Sequence, residues 1–277
     1  MTPVTGAGDP VWFWPLLLTA VAIAYGVTAL RLRQRGRWAA RRMALFSAGL
    51  VIVAAAVTGP LADAAQHDFA AHMVGHLLLA MLAPILLVLS APMTLVLRAL
   101  PVADARRLAR IFRSRPLRFL THPATAATPN VGGLWLLYTT DLFAMMHEHA
   151  WLGVAIHLHL LLAGYLFTAA LIGVDPAPHR PGWTVRATVL VLALGAHAVL
   201  AKWLYAHPPA GVAIPAAETG SQLMYYGGDL VDLPLIVIFC RQWFQATRPR
   251  PPIPDRSPAM RPTGRSGRAG RPEAVHP

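Results

Sequence analysis

The chain has 277 residues, of which 56% are hydrophobic and 13% charged, and a formal net charge of +12. A soluble domain carries about a quarter charged residues, so this composition excludes an ordinary soluble fold. Repeated uncharged apolar runs, each near the roughly 20 residues of a bilayer core, point instead to a polytopic membrane protein.

The first apolar run begins at Val11 with no basic region before it, and it is expected to stay as a span rather than be cleaved as a signal. Spans are predicted near 11–30, 43–61, 73–97, 131–147, 150–173, 185–206 and 222–243, the fourth being short and carrying Asp141. Of the 24 basic residues 23 are arginine, six of them in 31–42, seven in 98–130, two in 174–186 and seven after 243. Segments 1–10, 62–72, 148–149 and 207–221 hold no Lys or Arg. This alternation follows the positive-inside rule, with the N-terminus outside and the C-terminus in the cytoplasm. It also accounts for the net charge without nucleic acid as a partner. Residues 101–117 space Leu108, Ile111 and Phe112 along one stripe among arginines, as an interfacial helix on anionic lipid would. The expected fold is an all-α membrane bundle of about seven helices over 1–245. A Pro-, Arg- and Gly-rich tail, 246–277, lacks apolar residues to bury and is expected to be disordered. The single cysteine, Cys240, excludes an internal disulfide framework and any CxxC motif.

Nine of the twelve histidines fall on the outer side of this layout: His67, His72, His76, His147, His149, His157, His159, His197 and His207. Solvated loops would distribute them evenly. By helical rise, His76, His159, His197, Asp141 and Asp229 lie roughly 6–14 Å below the outer boundary. Ionisable groups are costly in hydrocarbon and face a bundle interior or a wet cavity. A shared polar pocket opening outward is therefore expected.

His72 and His76 are four residues apart and share one helix face, a spacing that suits two imidazoles on one metal. His157 and His159 are two apart, about 200° round the helix, so only one faces that pocket readily. Met73, Met81 and Met224 add thioethers nearby, and imidazole with thioether suits copper, while the lack of paired cysteines argues against structural zinc. The competing reading of a lone intramembrane histidine is a hydrogen-bonded packing residue. His147, His149 and His207 read as interfacial, and Asp229 with Asp232, three apart, read equally as ligands or packing groups. Two rival functions remain open: a membrane cytochrome b with His159 and His197 as axial haem ligands, and a copper permease. Sparse polar residues in the inner half of the spans weigh against the permease.

The order HMVGHLLLAMLAPILLVLSAPMTLVLRALP, HLHLLLAGYLFTAALIGVDPAPHR, AHAVLAKWL and YYGGDLVDLPLIVIFCRQWF resembles the CtaG family of cytochrome c oxidase assembly proteins, in its actinobacterial branch, over about 58–245. The resemblance implies a multi-pass protein of the bacterial plasma membrane, not an enzyme, that serves maturation of haem–copper oxidases. It implies Cu(I) as cargo, cytochrome c oxidase subunit I as the receiving partner, and an extracytoplasmic copper chaperone as a further partner. It sets His72, His76, His159, His197 and Asp229 at motif positions; the residues themselves add His67, His157, Asp141 and Met73 as further ligand candidates. One departure concerns the fourth span, where the branch has Tyr-x-Thr-Pro and this chain reads YTTDLF, with Asp141 in the proline's place.

Overall fold

A computed structural model describes residues 10–177 and 179–248. Among them every regular element is helical. Most of the predicted disordered tail, from residue 249 onward, lies outside the described residues. Six helices among the described residues are long and apolar enough to cross a membrane. They are α1 (Phe13–Gln34), α2 (Ala40–Val57, carried on past Thr58 by α3, Gly59–Ala64), α4 (Phe69–Leu89), α10 (Ala150–Ile172), α11 (Trp183–Ala206) and α12 (Ile214–Thr247). Between α4 and α10 run α5 (Pro92–Ala99), α6 (Val102–Phe112) and α7 (Arg115–Leu120), then α8 and α9.

The fourth predicted span, 131–147, is the point of difference. Pro123–Ala127, Thr128–Gly132 and Gly133–Thr139 follow one another as α8, and after a break Leu142–Glu148 forms α9. The break has a local cause. Thr139 and Thr140 hydroxyls donate back to the Trp135 and Leu136 carbonyls at 2.7 and 2.6 Å, and Thr140 Oγ1 accepts from Leu142 N. Side chains that compete for backbone partners in this way destabilise a helix interior, and Thr140 turns to an extended backbone, φ −125 and ψ 176.

α4 is the hub. It packs against α2, α10 and α12, and 56% of its apolar window is buried, against 22% for α1. Asp68 starts it by accepting from Ala70 N at 2.9 Å. Its middle, Leu77–Leu82, winds as a π-helix just before Pro84. Proline has no N–H for the carbonyl four residues back, which here is Ala80 O. That carbonyl abuts Gly164 of α10 so closely that any Cβ there would collide with it. Two backbones meet at this point, which is what small residues permit between membrane helices. π-turns recur at functional sites, and this one follows His76 directly. The predicted interfacial stripe is partly realised in α6, where Leu108 and Phe112 are half-buried and Ile111 is exposed.

Candidate metal centre

The inner face of α4 carries His72, Met73 and His76, and all three are buried. α11 brings His197, and α12 brings Asp232 to the same cavity, lined further by Asn130, Leu134 and Thr168. It holds about 40 Å3 open to a water-sized body. His76 is 3% exposed, His197 8% and Asp232 8%. The His76 and His197 rings are neighbours, with centroids 6.0 Å and planes 23° apart. Both ring nitrogens of His76 and Nε2 of His197 are buried without a hydrogen-bond partner. Such a group forfeits about 1–3 kcal/mol if nothing meets it, so each orphan calls for a water or an ion.

α12 makes room for this arrangement. A Cβ at Gly228 would sit 2.7 Å from His197 Cε1 and 3.2 Å from its Nδ1, so only glycine lets the imidazole lie against the helix. Asp232 is one turn further on, on the same face as Gly228 and the buried Met224. Asp229, three residues before Asp232, is about 60° away round the helix and is exposed. Of the two aspartates it is therefore Asp232 that enters the cavity.

Toward the other end of α4, His72 Nε2 and the Tyr138 hydroxyl of α8 are hydrogen-bonded at 3.1 Å, and that hydroxyl is 3.9 Å from Met73 Sδ. His147 of α9 stands beside His72, ring centroids 5.9 Å apart. His157 lies within electrostatic range of His72 and His76. His147 and His157 each donate Nδ1–H to the carbonyl four residues back, Phe143 O at 2.8 Å and Gly153 O at 2.7 Å. A carbonyl only accepts, so the proton sits on Nδ1 and the Nε2 lone pair stays free.

The predicted residues therefore divide. His72, Met73, His76 and His197 are brought to one column, with His157 half-buried at its side. His159 is exposed, and its Nε2 donates to Pro129 O at 3.1 Å, which turns it toward α8 and away from the cavity. Asp141 is exposed at the break before α9, and His67 is exposed on an outer hollow shared with His147. Among the described residues no three His, Cys, Asp or Glu side chains converge on one metal-sized point. Sequence reasoning left Asp232 undecided between ligand and packing group, read His147 as interfacial and did not single out Tyr138. For Asp232 a signal existed: Ala217, Gly220, Ser221, Met224, Gly228, Asp232, Leu235 and Phe239 repeat at helical spacing, and all are buried.

The chain's relatives agree with the motif resemblance. Residues 23–246 match the family model described as cytochrome c oxidase caa3 assembly factor, Caa3_CtaG. The chain is 32% identical over 200 residues to the uncharacterized protein ML1998 of Mycobacterium leprae, and 33% identical over 200 residues to the uncharacterized protein MT0111 of Mycobacterium tuberculosis. In each case the match takes in 68% of this chain but 30% of the relative, so the chain spans under a third of their length. No solved structure matches it. With most of its length inside the family model, the chain belongs to the Caa3_CtaG family of cytochrome c oxidase assembly factors.

Proposed function

We propose that this assembly factor holds Cu(I) between His76 and His197 and passes it to the oxidase, a non-catalytic role in the plasma membrane. The observation that carries the reading is the close pair itself, with its three unpartnered nitrogens. Two metal–nitrogen bonds of about 2 Å plus two ring radii span about 6 Å when the in-plane lone pairs point at one another, so a centroid separation of 6.0 Å puts one shared ion within reach once the rings turn their nitrogens inward. Asp232 supplies a compensating negative charge or a third oxygen donor. Imidazoles suit copper, and the family's connection with a copper-containing oxidase agrees with that. The rival haem reading, with His159 and His197 as axial ligands, is disfavoured because His159 is exposed and its Nε2 is hydrogen-bonded to Pro129 O instead of turning to the cavity that His197 lines.

The membrane layout supports an outward-facing pocket. α8 and α9 follow α4 in the opposite direction: Ala126 packs with Ile85 and Val88, whereas Phe143 packs with Phe69. The broken segment thus runs the length of the bundle and serves as the seventh crossing. With seven crossings the arginine-rich connectors all fall on one side, the cytoplasm, and the histidine end faces outward, where the copper centre of oxidase subunit I is to be loaded. Ligand exchange needs neutral imidazole, so retention weakens as acid protonates the rings.

The test is Cu(I) binding by the detergent-purified full chain in competition with a chromophoric chelator. The parent should bind, and His76→Ala and His197→Ala should each lower affinity by about tenfold or more, with the double change adding little because ligands of one ion act together. A purified parent that shows a Soret band and holds no copper would refute the reading in favour of a haem protein.

A further inference from the structure

The column contains a second close imidazole pair, tilted at 47°, whose centroid spacing repeats the first. His147 and His72 rings lie 5.9 Å apart, His76 and His197 rings 6.0 Å apart, and His72 and His76 are joined by one turn of α4. His147 is half-buried on a hollow of about 470 Å3 whose wall also carries His67, Asp68 and Glu148 and no Lys or Arg. Such a wall concentrates cations. The hydrogen bond from His147 Nδ1 to Phe143 O fixes the ring and leaves Nε2 as its free donor. The Phe143 ring lies against both imidazoles, 5.0 Å from His72 and 4.8 Å from His147, and covers the step between them.

We propose that His147 and His72 form an outer loading pair that passes a soft monovalent ion to the inner pair His76 and His197, so that the histidine end is a two-step relay rather than one four-ligand site. This rests on the reading of His76 and His197 as the holding pair. That no three donors converge is what a relay of two-ligand stations requires and what a single multi-ligand site does not. Each step exchanges one nitrogen ligand for another: a bond to His147 breaks as a bond to His76 forms, and from His72 the ion passes to His197. No electron moves, and the ion's charge is unchanged. His147, which the sequence assigns to an interfacial turn, becomes the residue that governs how fast the inner pair is filled.

The experiment follows stopped-flow transfer of Cu(I) from its bicinchoninate complex to the full chain in detergent, together with the affinity at equilibrium. His147→Ala should slow loading by about fivefold or more while equilibrium affinity stays within about twofold, an effect on rate rather than on the final complex. His147→Met, which returns a soft donor, should recover most of the rate. Unchanged affinity of the alanine variant also certifies that it is folded. Loading by His147→Ala as fast as the parent, or a methionine variant as slow as alanine, overturns the relay while leaving the holding pair in place. Loss of equilibrium affinity in His147→Ala overturns the division into two stations. A parent that takes up no Cu(I) overturns the holding pair and the relay together.

Discussion

The two ends of the bundle bury polar groups in opposite ways. At the arginine end, Arg186 is 3% exposed; its Nη1 donates to Leu171 O at 2.8 Å and its guanidinium stacks 3.7 Å from the Trp183 ring, so that only its Nε, like Trp38 Nε1, is left without a partner. Gln242 donates to Ile172 O at 3.0 Å. These two side chains close the C-terminus of α10, whose last carbonyls have no partner within the helix. Asp175 closes the N-terminus of α5, accepting from Met93 N, Thr94 N and Thr94 Oγ1 at 3.2, 2.7 and 2.6 Å. At the histidine end, His76 and His197 keep three ring nitrogens unmet at comparable depth. Satisfied polar groups hold helices together, whereas unmet ones in a small cavity are reserved for something that arrives. The arginine end is architecture and the histidine end is a receptacle.

The largest expected effect attacks the receptacle without touching a ligand. Gly228→Val places side-chain atoms where the His197 ring lies, and the ring must move. Cu(I) affinity should then fall by about tenfold or more, as in His197→Ala, since displacing a ligand by an ångström has large consequences. Gly195→Ala is the control on α11, because nothing lies within 4 Å of its added Cβ, and it should bind as the parent does. Parental affinity in Gly228→Val would mean that the close approach of α12 does not set the site.

Arg186→Met tests the other end. It removes the donor to Leu171 O and the stack on Trp183, and thermal unfolding in detergent should show a loss of about 1–3 kcal/mol. Copper bound per folded molecule should be unchanged. A loss of copper with no loss of stability would erase the contrast between the two ends.

Much of this was legible in the sequence, for physical reasons that differ by element. The long spans were visible because apolar length is a property of composition, and α1, α2, α4, α10, α11 and α12 appear where the apolar runs do. The break at Thr140 was less visible. Hydropathy does not register two threonine hydroxyls turning back onto carbonyls. His72 and His76 could be set on one face from their spacing alone. The side from which His157 and His159 would be used could not, because it depends on the position of α8, and Pro129 O captures His159. Asp232 and Asp229 differ by only about 60° of rotation, and the buried repeat of α12 through Gly220, Met224 and Gly228 is the pattern that chooses between them.

The smallest expected effects come from one chemical change made at both ends, aspartate to asparagine. Asn has one acceptor oxygen, so Asp175→Asn keeps the two bonds from Thr94 and loses the 3.2 Å bond from Met93 N together with the charge–dipole part, about 1–2 kcal/mol in all. Burial pushes the Arg180 guanidinium below its ordinary value and the Asp175 charge opposes this, so the variant also removes a favourable neighbour without emptying the cap. Unfolding should move by no more than that, and copper affinity not at all. Asp232→Asn changes the same atoms in a cavity where no helix end needs capping. There the carboxylate's use is its charge beside a cation. Affinity should fall by about three- to tenfold, equivalent to roughly 1 kcal/mol, while stability holds or rises, since a buried carboxylate without a partner is itself costly. Asp229→Asn, on the exposed face, should move affinity less than Asp232→Asn does. If the two α12 variants behave alike, the carboxylates act only through the general field of the histidine end, and Asp232 has no claim to the ion's coordination.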